Sequence, residues 1–341
     1  MAGLRGWCAG DGNNKGTGTM RSCIAIILFF ALLGVAESPR QEIRIAQYVE
    51  GGGARGLLWS SYPGALSSLL KHISMECKCN IVPEPAVIGD FTDSRLTDYP
   101  FIYINAADCR EWSFSDEAIA KLRSYLENGG FIFIDAGITA SFLREHPELA
   151  ASHSYAEWEA SPEIKALFEK VLPGHPFTPL GRKDPLFGIY YKGLPDTAKL
   201  PDTVRDYVVN EKWPEGTYSA VAIRLNGRIA VLCTPIIAMG WARNELGQWK
   251  TNIQFRVLEQ TEGLDQVLKS AAYSGEKFEV VREDGGKDMV YCQKEALPAW
   301  CMEPGGRWRV FRYYASREIS DYTHEFYTRL GTNIILYAIL Q

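Results

Sequence analysis

Two short runs of uninterrupted apolar residues, Phe101–Ile104 (FIYI) and Phe131–Ile134 (FIFI), constrain this 341-residue chain more than any other feature. A strand with water on one face alternates apolar and polar residues. A strand that is apolar at every position must be covered on both faces. Between the two runs, Asp116 to Asn128 places Ile119, Leu122, Tyr125 and Leu126 at helical spacing. Ser115 can cap that helix, and Asp116 and Glu117 suit its positive end. Gly129 and Gly130 stop it. A buried strand, a covering helix and a second buried strand make a crossover unit, which predicts parallel neighbours in one sheet.

The flanking chain continues this pattern. Ile43–Val49 (IRIAQYV) is β-rich and ends at Gly51-Gly52-Gly53; Pro63–Ile73 carries Leu66, Leu69, Leu70 and Ile73 at helical spacing; Asn80–Ile88 gives a short strand. The order strand, helix, strand, strand, helix, strand predicts an α/β fold with a parallel sheet between helices. Tyr218–Leu225 and Arg228–Cys233, joined by Asn226-Gly227, predict a tight hairpin. Prolines break residues 141–220 into short helices and loops, and Phe326–Leu340 predicts a closing apolar helix. We expect residues 37–249 and 313–341 to form one α/β domain. Residues 250–312 are expected to be a small α+β insertion: a helix over Phe255–Tyr273, a hairpin around Asp284-Gly285-Gly286, and a segment carrying Cys292 and Cys301.

The amino terminus predicts export. Cys23–Ala36 (CIAIILFFALLGVA) is an uncharged apolar run behind Arg21, with Gly34 and Ala36 placed before a cut. The run is shorter than the roughly 20 residues a spanning helix needs. Met20 opens this signal better than Met1, so residues 1–36 are read as an upstream extension and a signal peptide, with a periplasmic or secreted product. Cys23 opens the apolar run instead of following it, so no lipid anchor is expected, nor a stable membrane anchor after cleavage. Six cysteines lie beyond the signal, and an exported chain permits disulfides. Cys292 and Cys301, nine residues apart in Gly/Pro-punctuated chain, are the best-placed pair; buried free thiols are the alternative.

Charge and motifs exclude several function classes. A formal charge of −5 argues against a nucleic-acid binder that works by bulk positive charge. Gly51, Gly53 and Gly56 fit a dinucleotide-binding spacing, but Trp59, Ser61, Tyr62 and Pro63 intervene before any helix, so no cofactor is expected. No G-x-S-x-G elbow occurs, and the five histidines show no metal-ligand spacing, so no metal is expected. Cys109 follows a strand and can face a cleft, but no glycines flank it to force it into an exposed turn. Asp135 ends the FIFI strand, where parallel α/β sheets hold ligands; it can act as a base, orient a hydroxyl, bind a cation, or simply cap a turn. Tryptophans beside glycine, as at Gly240-Trp241, can stack on a sugar or peptide or cover the core.

Five segments together carry a resemblance: DYPFIYI at 98–104, LRSYLENGGFIFID at 122–135, GRIAV at 227–231, Gly240-Trp241, and LGTNIILYAIL at 330–340. In this order the chain resembles a bacterial family, domain of unknown function forty-one fifty-nine, over about residues 43–245 and 326–340. The resemblance implies the glutamine-amidotransferase-like branch of flavodoxin-like folds, a three-layer parallel sheet with helices on both faces. It places Asp135 near the strand end where amidotransferases keep a nucleophilic cysteine. A carboxylate forms no thioester, so glutamine hydrolysis is not expected. Relatives often pair two acids here, whereas Ala136 follows Asp135; they also tend to carry His-Pro where this chain has Lys183-Asp184-Pro185.

The resulting expectation is an exported, non-catalytic module that binds a small ligand or an envelope protein at the carboxyl ends of the sheet strands. Asn105, Asp135, Thr234, Gly240 and Trp241 are the candidate site residues, with Asp135 orienting the ligand and Trp241 stacking on it or closing over it. The alternative is a hydrolase-like enzyme acting on an envelope glycan or polymer, with Asp135 as base or cation ligand. It requires a second carboxylate or a histidine beside Asp135.

Overall fold

The computed structural model describes residues 42–52, 60–109, 111–140, 158–181, 183–209, 220–259, 266, 276–281, 287–292, 299–302 and 308–341. The signal-peptide expectation therefore lies outside the described residues. The described elements all belong to one unit, Glu42–Gln341.

The fold is mixed α/β around a seven-stranded sheet. In chain order its strands are β1 (Ala46–Tyr48), β2 (Ala86–Ile88), β3 (Phe101–Asn105), β4 (Phe131–Asp135), β7 (Thr178–Pro179), β8 (Val221–Leu225) and β9 (Arg228–Cys233). They lie side by side as β2-β1-β3-β4-β9-β8-β7. The β2-β1-β3-β4-β9 pairs are parallel, as the buried runs require, and β8 and β7 are antiparallel. The hairpin of β8 and β9 pairs Leu225 with Arg228. Asn226 and Gly227 turn it at φ 51° and 84°, the left-handed backbone that an Asn-Gly turn supplies. Two further strands, β5 (Ile138–Ala140) and β6 (Trp158–Ala160), pair antiparallel just beyond β4.

The alternation within the two apolar runs sorts their side chains. Phe101, Tyr103, Phe131 and Phe133 enter one core cluster; Ile102, Ile104, Ile132 and Ile134 enter the other. The aromatic face is covered by α1 (Ala65–Cys77) and by the long α5 (Arg317–Ile339), through Leu66, Leu69, Leu70, Ile73, Leu330 and Ile334. The isoleucine face is covered by α2 (Asp116–Glu127) and α3 (Pro162–Val171), through Leu122, Leu126, Ile164 and Phe168. A short helix, α4 (Asp202–Tyr207), follows α3, and its Val204 joins the aromatic side. Ser115 caps α2 as its sequence predicts: its Oγ accepts the Ala118 amide at 3.2 Å.

The expected insertion keeps its hairpin but begins as a strand where a helix is expected. It forms a second, antiparallel sheet of β10 (Gln254–Glu259), β11 (Glu276–Val281), β12 (Lys287–Cys292), β13 (Ala299–Met302) and β14 (Trp308–Ala315), ordered β10-β14-β13-β12-β11. The helix expected over Phe255–Tyr273 starts instead as strand β10. Phe255 and Val257 alternate there, and all six residues pair with β14, so cross-strand pairing overrides a helical spacing the segment also satisfies. Nearly all of the rest of that expected helix lies outside the described residues. The hairpin pairs Val281 with Lys287. Cys301 pairs with Val290, two residues from Cys292 on the neighbouring strand. The side chains of Cys292 and Cys301 lie outside the described residues. Among the described residues no helix is long and apolar enough to cross a membrane.

Candidate functional site

Three of the five candidate residues meet where β3, β4 and β9 end. Asn105 and Asp135 are register partners across β3 and β4. Thr234 follows β9 and ties it to β4: its amide donates to the Ile134 carbonyl, and its own carbonyl accepts the Gly137 amide, both at 3.1 Å. The chain then turns back over the strand ends as Ile237–Trp241, bringing Gly240 and Trp241 beside them.

These residues meet inside the protein. Asp135 is 0% exposed. Its Oδ1 accepts the Ile237 amide at 2.7 Å, and its Oδ2 accepts the Ala238 amide at 3.0 Å and the Tyr103 hydroxyl at 2.9 Å. Burial pushes its carboxyl up to about 6, and those two amides and the hydroxyl hold it below where burial alone would put it. The same burial, with the Asp135 charge beside it, raises the Tyr103 phenol well above its ordinary value. Asn105 is equally buried; its Nδ2 donates to the Tyr103 oxygen at 3.5 Å and its Oδ1 accepts the Ala107 amide at 3.0 Å. The Thr234 hydroxyl donates to the Pro235 carbonyl at 2.8 Å.

Trp241 is 2% exposed and belongs to the core. Its indole nitrogen donates to the Tyr327 carbonyl of α5 at 2.8 Å, and its ring lies 6.0 Å from Tyr103 and 6.4 Å from Phe133. Gly331 is what admits it, and Gly240 admits the neighbouring Tyr327. A Cβ on Gly240 would come within 2.5 Å of Tyr327, and one on Gly331 within 2.6 Å of the Trp241 ring. The indole thus sits away from solvent.

The position where relatives tend to carry His-Pro holds an ion pair in this chain. At Lys183-Asp184-Pro185, Asp184 accepts the Leu186 amide at 3.0 Å and pairs with Arg224. His324 of α5, which no local motif singles out, is buried with its ring nitrogens 3.2 Å from the Gly240 carbonyl and 2.9 Å from the Thr251 carbonyl. It stacks at 4.0 Å on Trp249, whose ring also carries the Arg243 guanidinium at 3.9 Å. Together Asp135, Trp241 and His324 fix the segment 237–251 at three depths.

Open space lies on the other side of the β4 end. A cleft of about 470 Å³ is lined by Ala106, Cys109 and Trp112 after β3, by Ala136, Ile138 and Thr139 after β4, and by Ser161, Pro162 and Glu163 at the start of α3. Ala136 holds φ 60°, a left-handed backbone that costs a residue with a Cβ roughly 1–2 kcal/mol. That turn sends the chain from the buried Asp135 to the cleft wall within one residue. Cys109 is buried, donates to the Glu111 carbonyl at 3.5 Å, and has its thiol pushed up to about 12, chiefly by burial. It is a thiol and not a thiolate at neutral pH, so it is no ready nucleophile. Among the described residues no three His, Cys, Asp or Glu side chains converge as a metal site.

The glycine-rich turn has a packing role at its described end. Gly51 holds φ 68°, and Gly52 packs backbone to backbone on Gly89, where a Cβ would lie 2.9 Å from the Gly89 Cα. Asp108 then pins the loop's return: it accepts from the Ser60 hydroxyl at 2.7 Å and from the Ser61 amide and hydroxyl at 2.7 and 2.8 Å.

Residues 44–339 match the model of a family described as Domain of unknown function (DUF4159), so the chain belongs to that family. The matched span encloses the second sheet. No curated protein matches the chain.

Proposed function

We propose that this chain is an exported, non-catalytic binding module of flavodoxin-like, glutamine-amidotransferase-like architecture. Its ligand or partner enters the cleft at the carboxyl ends of β3 and β4. The observation that carries this reading is the state of Asp135. At the strand end where an amidotransferase would keep its nucleophile, this carboxylate spends both oxygens on backbone amides and one also on Tyr103, and it is fully buried. Its grip on Ile237 and Ala238 suits a structural clamp, not a base that must touch substrate. The cleft on the far side of Ala136 supplies the ligand space that the open edge of such a sheet favours. Export rests on the Met20–Ala36 signal layout.

The test is a turnover screen of the purified chain against amides, esters, glycosides and phosphoesters, run beside Asp135→Asn. The proposal expects no turnover above buffer. Turnover that Asp135→Asn abolishes in a folded variant would instead establish the hydrolase.

A further inference from the structure

Resting on that binding role, we infer that the cleft takes a neutral saccharide unit, stacked on Trp112 and hydrogen-bonded through Glu163 and Ser161. Trp112 is half-buried: it packs against the isoleucine-side core and also lines the cleft. An indole anchored in this way has little side-chain freedom left to lose, and the C–H face of a sugar ring fits such a platform.

Glu163 sets the charge preference. Among the described lining residues there is no lysine, arginine or histidine, and Glu163 is exposed at the cleft edge. A phosphate or carboxylate ligand would meet this carboxylate with no counter-charge among those residues. A cation would gain little from one solvated carboxylate. Sugar hydroxyls donate to a carboxylate in charge-assisted bonds without bringing a charge of their own.

Ser161 supplies the third point. It precedes α3 as Ser115 precedes α2 and Ser316 precedes α5. Ser115 and Ser316 cap their helices, each accepting the amide three residues on at 3.2 Å. Ser161 caps nothing, and its buried Oγ has no hydrogen-bond partner, a rare condition in a folded protein. The first-turn amides of α3 are left without a side-chain acceptor, beside a hydroxyl that needs a partner. A sugar hydroxyl both donates and accepts, so once Ser161 turns to a rotamer that faces the cleft it answers both. The volume of about 470 Å³ lies within the range of small-ligand sites.

The experiment follows the indole N–H resonance of Trp112 in the ¹⁵N-labelled full chain, assigned with Trp112→Phe. The probes are N,N′-diacetylchitobiose, maltotriose, cellobiose and a mannobiose, with phosphate and acetate as anionic controls and a general fragment library. At least one saccharide should shift the Trp112 and Glu163 signals saturably. Glu163→Gln should weaken it at least fivefold and Trp112→Phe about tenfold, with the other resonances of each variant unmoved. Phosphate and acetate should leave the cleft signals in place. If fragments or anions bind the cleft and no saccharide does, the saccharide inference is overturned while the binding role stands. If nothing perturbs the cleft, both fall.

Discussion

The Tyr103 hydroxyl donates to Asp135 Oδ2 at 2.9 Å, diagonally across the parallel pair β3 and β4, with both side chains buried. This bond joins the aromatic face of the sheet to the clamp on Ile237 and Ala238. It completes the set of donors that lets a carboxylate stay in the core. Such a group titrates differently from a solvent-exposed one, and that gives the first expectation.

The Asp135 carboxyl is raised to about 6 in the native state, chiefly by burial, against an ordinary 3.8. A group raised on folding contributes its stabilisation below the unfolded value and loses it as pH rises through the folded value. The window is therefore about pH 4 to 6, and the loss approaches 3 kcal/mol. His324 acts in the opposite sense: burial lowers it, so its contribution is lost as pH falls below its ordinary 6.5. The raw stability curve mixes the two. The stability difference between wild type and Asp135→Asn, measured by urea unfolding at several pH values, should shrink as pH rises across that window. A difference that is flat with pH would refute the assignment.

Gly331→Ala should destabilise the protein by about 1–3 kcal/mol even though alanine is the better helix former. Its Cβ would press on the Trp241 ring at 2.6 Å and on Leu69 at 2.8 Å. Equilibrium unfolding measures this directly. A neutral or stabilising result would mean that Trp241 is not wedged against α5.

Cys109 should resist alkylation in the native chain at pH 8, because its thiol is buried and pushed up to about 12. Iodoacetamide labelling followed by peptide mass spectrometry should find Cys109 modified only after denaturation. Rapid native labelling would show a reactive sulfur at the cleft wall and revive nucleophilic chemistry there.

Much of this fold is legible in the sequence because its signals are local. FIYI and FIFI state their burial outright, Ser115 states a helix start, and Asn226-Gly227 states a turn. The second sheet was less legible: residues 254–259 satisfy both helical and strand spacings, and their partners in β14 lie more than fifty residues on. Asp135 was visible as important, but its role was not. The groups that hold it are the backbone amides of Ile237 and Ala238, about a hundred residues away, and a backbone amide leaves no mark on residue identity. The cleft was hidden for a related reason. Its wall is assembled from three short segments, and Trp112 becomes a neighbour of Ser161 and Glu163 only once the sheet has formed.

Equilibrium unfolding of Asp135→Ala beside wild type tests most directly whether this carboxylate is a clamp. The substitution leaves the Ile237 and Ala238 amides and the Tyr103 hydroxyl without their acceptor in a buried site. Each loss costs about 1–3 kcal/mol. The account predicts a loss of at least about 3 kcal/mol, with segment 237–251 losing hydrogen-exchange protection first. A variant that keeps wild-type stability and protection would contradict it, leaving Asp135 free for chemistry.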